Sequence, residues 1–390
     1  MQHIAVIYNA GGSYSAIRNF SLDLVSAFRS LGFVVHTIDY VQAEAREKLE
    51  QLLDQNVLSF LVGMNGMGIE QLYERLYFGH MPAPFFAYLV DHPMHHVKFF
   101  NFFSSFPNLI VSCVDQTHAS DLAKFFNPAH RTAFIPHAAS HNTHPFLQPC
   151  RVADRKTAIL FAGSYTDVEA CRNEWLADPY YKPLMEEIME AGLYQYKESL
   201  LTIAENVFHR QGISFDYRRN KRVRELLVQL EFYLRGRRRN EVLERLADFP
   251  IQVYSDCRNR KIAGKHIRFC PAVDYSKLFQ LYGDTKLALN VFPYVIYGGH
   301  DRLFNSMMSG AVALTERNLF LEEHFIQEEH LVMYDASDPD LAEKVELLLT
   351  DTDKLEYISN QGKEIVKQQH TWLNRAREIA RSVLSFSSRG

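Results

Sequence analysis

Residues 290–316 read NVFPYVIYGGHDRLFNSMMSGAVALTE, and the order of residue types in this stretch decides the fold. Asn290 to Pro293 closes an apolar run, Gly298-Gly299 breaks it, and Leu303, Phe304, Met307 and Met308 then recur at helical spacing. Gly310 stops that helix, and Ala311-Val312-Ala313-Leu314 follows as a short buried strand. The stretch is therefore strand, glycine turn, helix and strand, the order found beside a parallel sheet. His300, Asp301 and Arg302 stand at the helix N-terminus, where unpaired N–H groups and the helix dipole favour an anion and Arg302 adds a fixed cation. A phosphate fits that end. Asn305, Ser306 and Ser309 continue along the polar side, within reach of hydroxyls on whatever the phosphate carries. A capped helix with a solvated face explains the same local pattern without a ligand.

Outward from this stretch the chain alternates strand and helix twice over. Residues 1–142 give strands near 3–9, 33–40, 57–62, 84–90, 109–114 and 132–135, with helices at 17–28, 43–55 and 69–78 between the first four. Such alternation predicts a doubly wound parallel sheet that meets its ligands at the carboxyl ends of the strands. Those ends carry Asn9 to Ser15, Gly63 to Gly68 (GMNGMG), Asp91 to His96 (DHPMHH), Asp115 to His118, and His137. The first loop lacks Gly-any-Gly-any-any-Gly, which argues against an NAD enzyme. Residues 143–156 have two prolines and no period and read as a linker. A second series opens at 157–162 with the turn Gly163-Ser164-Tyr165-Thr166, is interrupted by a helical insertion over about 168–247, resumes at 250–254, 267–269 and 287–292, and ends in helices. The pattern predicts an α/β chain of two Rossmann-like domains facing across a cleft.

The central stretch resembles the donor-binding segment of GT-B glycosyltransferases, in particular the group similar to the spore-maturation protein CgeB. The resemblance rests on His300-Asp301-Arg302, on Phe304-Asn305-Ser306-Met307-Met308-Ser309-Gly310-Ala311, and on His370-Thr371-Trp372 with Arg375-Ala376 near the C-terminus. It implies domains at 1–142 (acceptor) and 157–365 (nucleotide sugar), with residues 366–390 crossing back onto the first and Trp372 packing at the hinge. It also implies transfer of a sugar from a nucleotide donor, UDP-linked by preference, to a protein or glycan hydroxyl. Gly299, His300, Asp301 and Arg302 would take the diphosphate, Asn305 the ribose, and Gly163 and Ser164 the phosphate or sugar, while Pro271 and Tyr275, in a loop after a strand, would wall the base. Many retaining relatives place two glutamates where this chain has Tyr297 and Asn305. An inverting course, with a base from the first domain, is therefore favoured. Asp91 and His92 are the catalytic candidates, His92 as base and Asp91 orienting it, with His118 and His137 in reserve. The rivals are a nucleotide-sugar 2-epimerase and an inactive sugar- or partner-binding scaffold.

Composition bounds the rest. A length of 390 residues suits two domains, and net charge of −4 excludes a globally basic nucleic-acid binder. The five cysteines include no Cys-any-any-Cys pair, which argues against disulfides and structural zinc. Neither a metal nor another cofactor is expected. With no apolar run of membrane length and an N-terminus that begins directly as a strand, the chain reads as cytoplasmic. The basic runs Arg218-Arg219-Asn220-Lys221-Arg222 and Arg235-Gly236-Arg237-Arg238-Arg239 read as a solvated helix edge, or as a docking surface for an acidic partner or anionic membrane.

Overall fold

The computed structural model describes all residues except 1, 10–15, 73–74, 76–78, 98, 101–105, 107, 127–130, 141–149, 165, 195–196, 256–263, 292–293 and 388–390. The chain divides into two units, 1–142 with 369–390, and 143–368. Among the described residues each unit holds a six-stranded parallel sheet.

In the first unit the strands are β1 (His3–Tyr8), β2 (Val34–Asp39), β3 (Leu58–Met64), β4 (Phe85–Leu89), β5 (Leu109–Cys113) and β6 (Arg131–Phe134), in the order β2-β1-β3-β4-β5-β6. The interior strands β4 and β5 read FFAYL and LIVSC and are buried throughout, as a parallel sheet covered on both faces requires. The glycine-rich turn after β3 is a packing device. A Cβ on Gly66 would strike the Phe99 ring and one on Gly68 the Ile7 side chain, and both glycines have positive φ. Of the helix expected over 69–78, the described residues show a turn of 3-10 helix at Glu70–Leu72 and a helical Arg75, while 73–74 and 76–78 lie outside the described residues.

The C-terminal helix Trp372–Ser387 belongs to this first unit. Its Trp372 is buried against Phe20 and Tyr88, with ring centroids 5.4 and 5.9 Å away. Arg375, also buried, donates from Nε to the carbonyls of Pro136 and His137 at 2.8 and 3.0 Å, and Ala139 N–H donates to the His370 carbonyl at 2.7 Å. The His370-Thr371-Trp372…Arg375 motif thus stitches the last helix to the end of the first sheet.

In the second unit β7 (Thr157–Ala162), β8 (Ile251–Ser255), β9 (Ile267–Pro271), β10 (Thr285–Asn290), β11 (Val312–Glu316) and β12 (Val332–Tyr334) order as β12-β11-β10-β7-β8-β9. The chain winds one way from β7 and the other way from β10, so the topological switch point lies between these two neighbours. Side-chain alternation splits the core. Ile159, Phe161, Leu287 and Leu289 pack on one face with Val242, Leu246 and Val345, whereas Leu160, Ala162 and Ala288 face Tyr282 and Ala311 on the other.

One expectation needs correction here. The described half of the supposed linker is part of the second unit: Val152 lies in its core, and buried Arg155 donates to the carbonyls of Thr285, at 3.1 Å, and Gly310. Residues 143–149 lie outside the described residues. The segment expected as a helical insertion over about 168–247 is helical among the described residues, with helices Val168–Leu176, Tyr181–Gly192, Leu200–Arg210 and Lys221–Arg245. Its last helix, Lys221–Arg245, ends with Val242 and Leu243 in the sheet core and is the crossover from β7 to β8. No helix among the described residues is long and apolar enough to cross a membrane.

Candidate functional site

The switch point collects the residues singled out from residues 290–316. After β10 the chain turns through Tyr294, at φ +65°, and the buried pair Gly298-Gly299 into helix Asp301–Met308. Asn318 fixes that turn, its amide donating to the carbonyls of Val295 and Gly298 at 2.7 and 3.0 Å. Gly299 must be glycine because a Cβ would run into the buried Phe304 ring.

His300 caps the helix, its Nδ1 facing the Arg302 N–H at 3.4 Å and Oδ1 of Asp301 at 2.5 Å, and its Nε2 facing Arg302 Nη2 at 3.3 Å. Burial and the Arg302 charge push the His300 pKa down, against the neighbouring Asp301 carboxylate, which raises it. Arg302 reaches from the helix to the end of β7 and donates from Nη1 to the Ala162 carbonyl. A Cβ on Gly163 would lie 2.5 Å from that same Nη1, so the glycine is what lets the guanidinium close over the β7 turn. Gly163, Gly299, His300, Asp301 and Arg302, predicted from separate parts of the chain, therefore meet at one place.

A residue missed in the sequence joins them. Arg239, buried on helix Lys221–Arg245, donates from Nη1 to the carbonyl and hydroxyl of Ser164 at 2.8 and 3.2 Å and from Nε to the Val291 carbonyl at 3.4 Å. Gly236, one turn earlier, allows the approach, since a Cβ there would lie 2.8 Å from Val168 and 3.1 Å from Thr166. Arg238 is buried too and forms a 3.0 Å ion pair with Glu316 at the end of β11. Both arginines belong to the run read as a solvated or docking edge, and for these two that reading is wrong. A crossover helix must bury one face, and Arg238 and Arg239 fall on it. Arg218 and Arg219 are exposed.

Other predicted positions part company with their expected roles. The helix Asp301–Met308 has no solvated face beyond its first residues: Asn305 and Ser306 are buried, and Ser306 Oγ donates to the Leu303 carbonyl. Asn305 is 2% exposed and its amide donates to the Tyr275 hydroxyl at 2.6 Å, so this amide ties two helices together instead of lying open to a ribose. Tyr275 is not in a loop. It is the buried first residue of helix Tyr275–Gly283, where it cannot wall a base, while Pro271 ends β9 and is exposed.

In the first unit, Asp91 is exposed at the end of β4, where Asn65 Nδ2 donates to its Oδ2 at 3.4 Å. His92 is held by Asp121, not by Asp91: Nε2 lies 3.2 Å from Asp121 Oδ2, and Nδ1 accepts the Met94 N–H at 3.0 Å. His118 is buried with its ring 4.3 Å from that of His92, and His137 is buried against Phe20 and Tyr88. Among the described residues no group of three or more His, Cys, Asp and Glu side chains could hold a metal ion.

Two doubly wound parallel sheets in one chain, with the last helix returned to the first unit, make the GT-B fold of glycosyltransferases. Residues 235–381, which carry Arg239, the glycine turn and Arg302, match the family described as glycosyl transferase-like. No curated protein matches the chain. Among solved structures it is similar to a sucrose-phosphate synthase from Thermosynechococcus elongatus, at 12% identity over 100% of both chains and a TM-score of 0.52. A glycosyltransferase from Rickettsia africae is similar at 11% identity, 98% of each chain and a TM-score of 0.52. An alpha-glucosyltransferase in complex with UDP and a 13-mer DNA is similar at 11% identity, 98% of this chain and 100% of that one, and a TM-score of 0.57. At such identities the likeness is one of fold.

Proposed function

We propose that the chain is a nucleotide-sugar-dependent glycosyltransferase whose donor diphosphate rests on the amino end of helix Asp301–Met308. The observation that carries this reading is the convergence of Arg302, His300 and Gly163 at the β7/β10 switch point, the place where doubly wound sheets bind ligands. Helix N–H groups and a guanidinium held by a backbone carbonyl offset the charge that builds on a leaving diphosphate. The reading requires no metal ion. UDP is the favoured nucleotide, since the alpha-glucosyltransferase of like fold was solved with it. The CgeB-like assignment rests on residues 300–311 and 370–376.

The acceptor, a protein or glycan hydroxyl, is activated in this reading by a base on the first unit, with inversion at the sugar. Asp91 suits that role better than His92, because its carboxylate is exposed whereas both His92 ring nitrogens are engaged. A scaffold that binds a nucleotide sugar without turnover is the second reading. It is supported by Tyr297 and Asn305, which occupy the two glutamate positions and are bonded to Glu323 and Tyr275.

Slow release of UDP from a UDP-sugar tests the choice. Turnover by the wild type that Asp91→Asn abolishes supports the transferase, and tight binding with no turnover on any acceptor supports the scaffold.

A further inference from the structure

We propose that Arg239 is a second anion-binding residue of this site, holding the diphosphate from the Ser164 side of the β7 turn as Arg302 does from the Ala162 side. The inference rests on the donor-site reading above and adds to it a residue from the helical segment that interrupts the second sheet.

The pairing of the neighbouring arginines makes the case. Arg235 lies 3.2 Å from Glu231, Arg237 2.7 Å from Glu241, and Arg238 3.0 Å from Glu316. Arg239 has no carboxylate partner among the described residues; it is held by the carbonyls of Ser164 and Val291, the Ser164 hydroxyl, and the face of Phe161 at 5.9 Å. Its Nη2 donates to none of the described residues. Arg302 likewise leans on a carbonyl and on His300, with no carboxylate among the described residues bonded to it.

Two guanidinium groups thus stand around the three-residue turn Ala162-Gly163-Ser164, neither of them bonded to a carboxylate among the described residues. A guanidinium does not lose its proton at neutral pH, so burial and the charge of Arg302 act on Arg239 as an electrostatic cost. An anion at the turn removes that cost and supplies the acceptor that Nη2 lacks. With Nε and Nη1 already held by backbone carbonyls, the guanidinium is fixed in place and Nη2 is the nitrogen left to meet a phosphate oxygen. Gly236 and Gly163 serve the same end, each removing the Cβ that would keep an arginine-bearing element away from the turn.

The test is calorimetric titration of the full chain with inorganic pyrophosphate and with UDP. Arg239→Met is expected to weaken both at least tenfold, Arg239→Lys less, and Arg237→Ala, an exposed neighbour on the same helix, not at all. Pyrophosphate binding lost in Arg302→Ala but unchanged in Arg239→Met would overturn this proposal and leave the donor-site reading standing. No binding of either ligand by the wild type would remove both. Should Arg239→Met fail to fold, judged by its melting temperature without ligand, Arg239→Lys decides: an affinity equal to wild type overturns the proposal, and a loss of threefold or more supports it.

Discussion

Oδ2 of Asp121 lies 3.2 Å from Nε2 of His92, so the carboxylate that orients this histidine comes from the helix after β5 and not from its sequence neighbour Asp91. With Nδ1 accepting the Met94 N–H, the ring is donor on one edge and acceptor on the other. Loss of the ring leaves the buried Asp121 carboxylate short of a partner. His92→Ala is expected to cost about 1–3 kcal/mol of stability. Asp91→Asn should leave stability unchanged and lower kcat by about 10²- to 10⁴-fold, as removal of a general base does. Denaturation curves and steady-state kinetics on the two variants check this; the reverse assignment of effects would restore His92 as the base.

The Arg238–Glu316 pair is buried at both ends, which makes it costly to break from one side. Arg238→Ala is expected to destabilise the second unit by about 3–5 kcal/mol, because Glu316 is then a buried charge without its counter-ion. Replacing both by apolar residues of similar size, as in Arg238→Met with Glu316→Leu, should recover most of the loss. Urea unfolding of the single and double variants measures the coupling. A docking role for Arg238 predicts no such effect.

Asp23 gives a pH signature to the first unit. It is buried, accepts the Ser140 hydroxyl, and burial raises its pKa from 3.8 to about 7. The folded state therefore holds this proton between pH 4 and 7 while the unfolded chain releases it, and stability falls as pH rises across that window, by about 4 kcal/mol in all. Asp23→Asn keeps an oxygen for Ser140 and carries no charge. It is expected to melt well above wild type at pH 8 and close to it at pH 4. Equal melting temperatures at pH 8 would mean that the carboxylate is not desolvated.

Asn305 separates packing from binding. Since its amide donates to Tyr275 at 2.6 Å inside the protein, Asn305→Ala should cost about 1–3 kcal/mol of stability and change the affinity for UDP by less than threefold. A large loss of UDP affinity in a variant of normal stability would show that the amide turns outward to the ribose.

The sheets were legible because parallel strands buried on both faces are written as unbroken apolar runs, such as FFAYL in β4 and TAILFA in β7. Arg302 and Gly163 were legible as separate signals, one at a helix start and one at a strand end. That they touch follows from β7 and β10 being neighbours, which no local pattern states. Arg239 was not legible. A run of arginines on a helix looks solvated until the helix is known to be a crossover whose inner face ends at the switch point. Asn305 misled for a related reason: its polarity suggested an outer face, whereas the helix that bears it is enclosed by its neighbours and satisfies the amide internally. Asp121 lies 29 positions from His92, beyond the reach of any spacing rule.

The central claim is that a nucleoside diphosphate rests on the Arg302 end of helix Asp301–Met308, and calorimetric titration of UDP, GDP and dTDP into the wild type and Arg302→Ala tests it most directly. The account predicts that at least one of the three binds the wild type and that Arg302→Ala weakens it tenfold or more, about 1.4 kcal/mol, with the melting temperature of the free protein little changed. Equal affinity in the two proteins, or no binding of any of the three by the wild type, would contradict it.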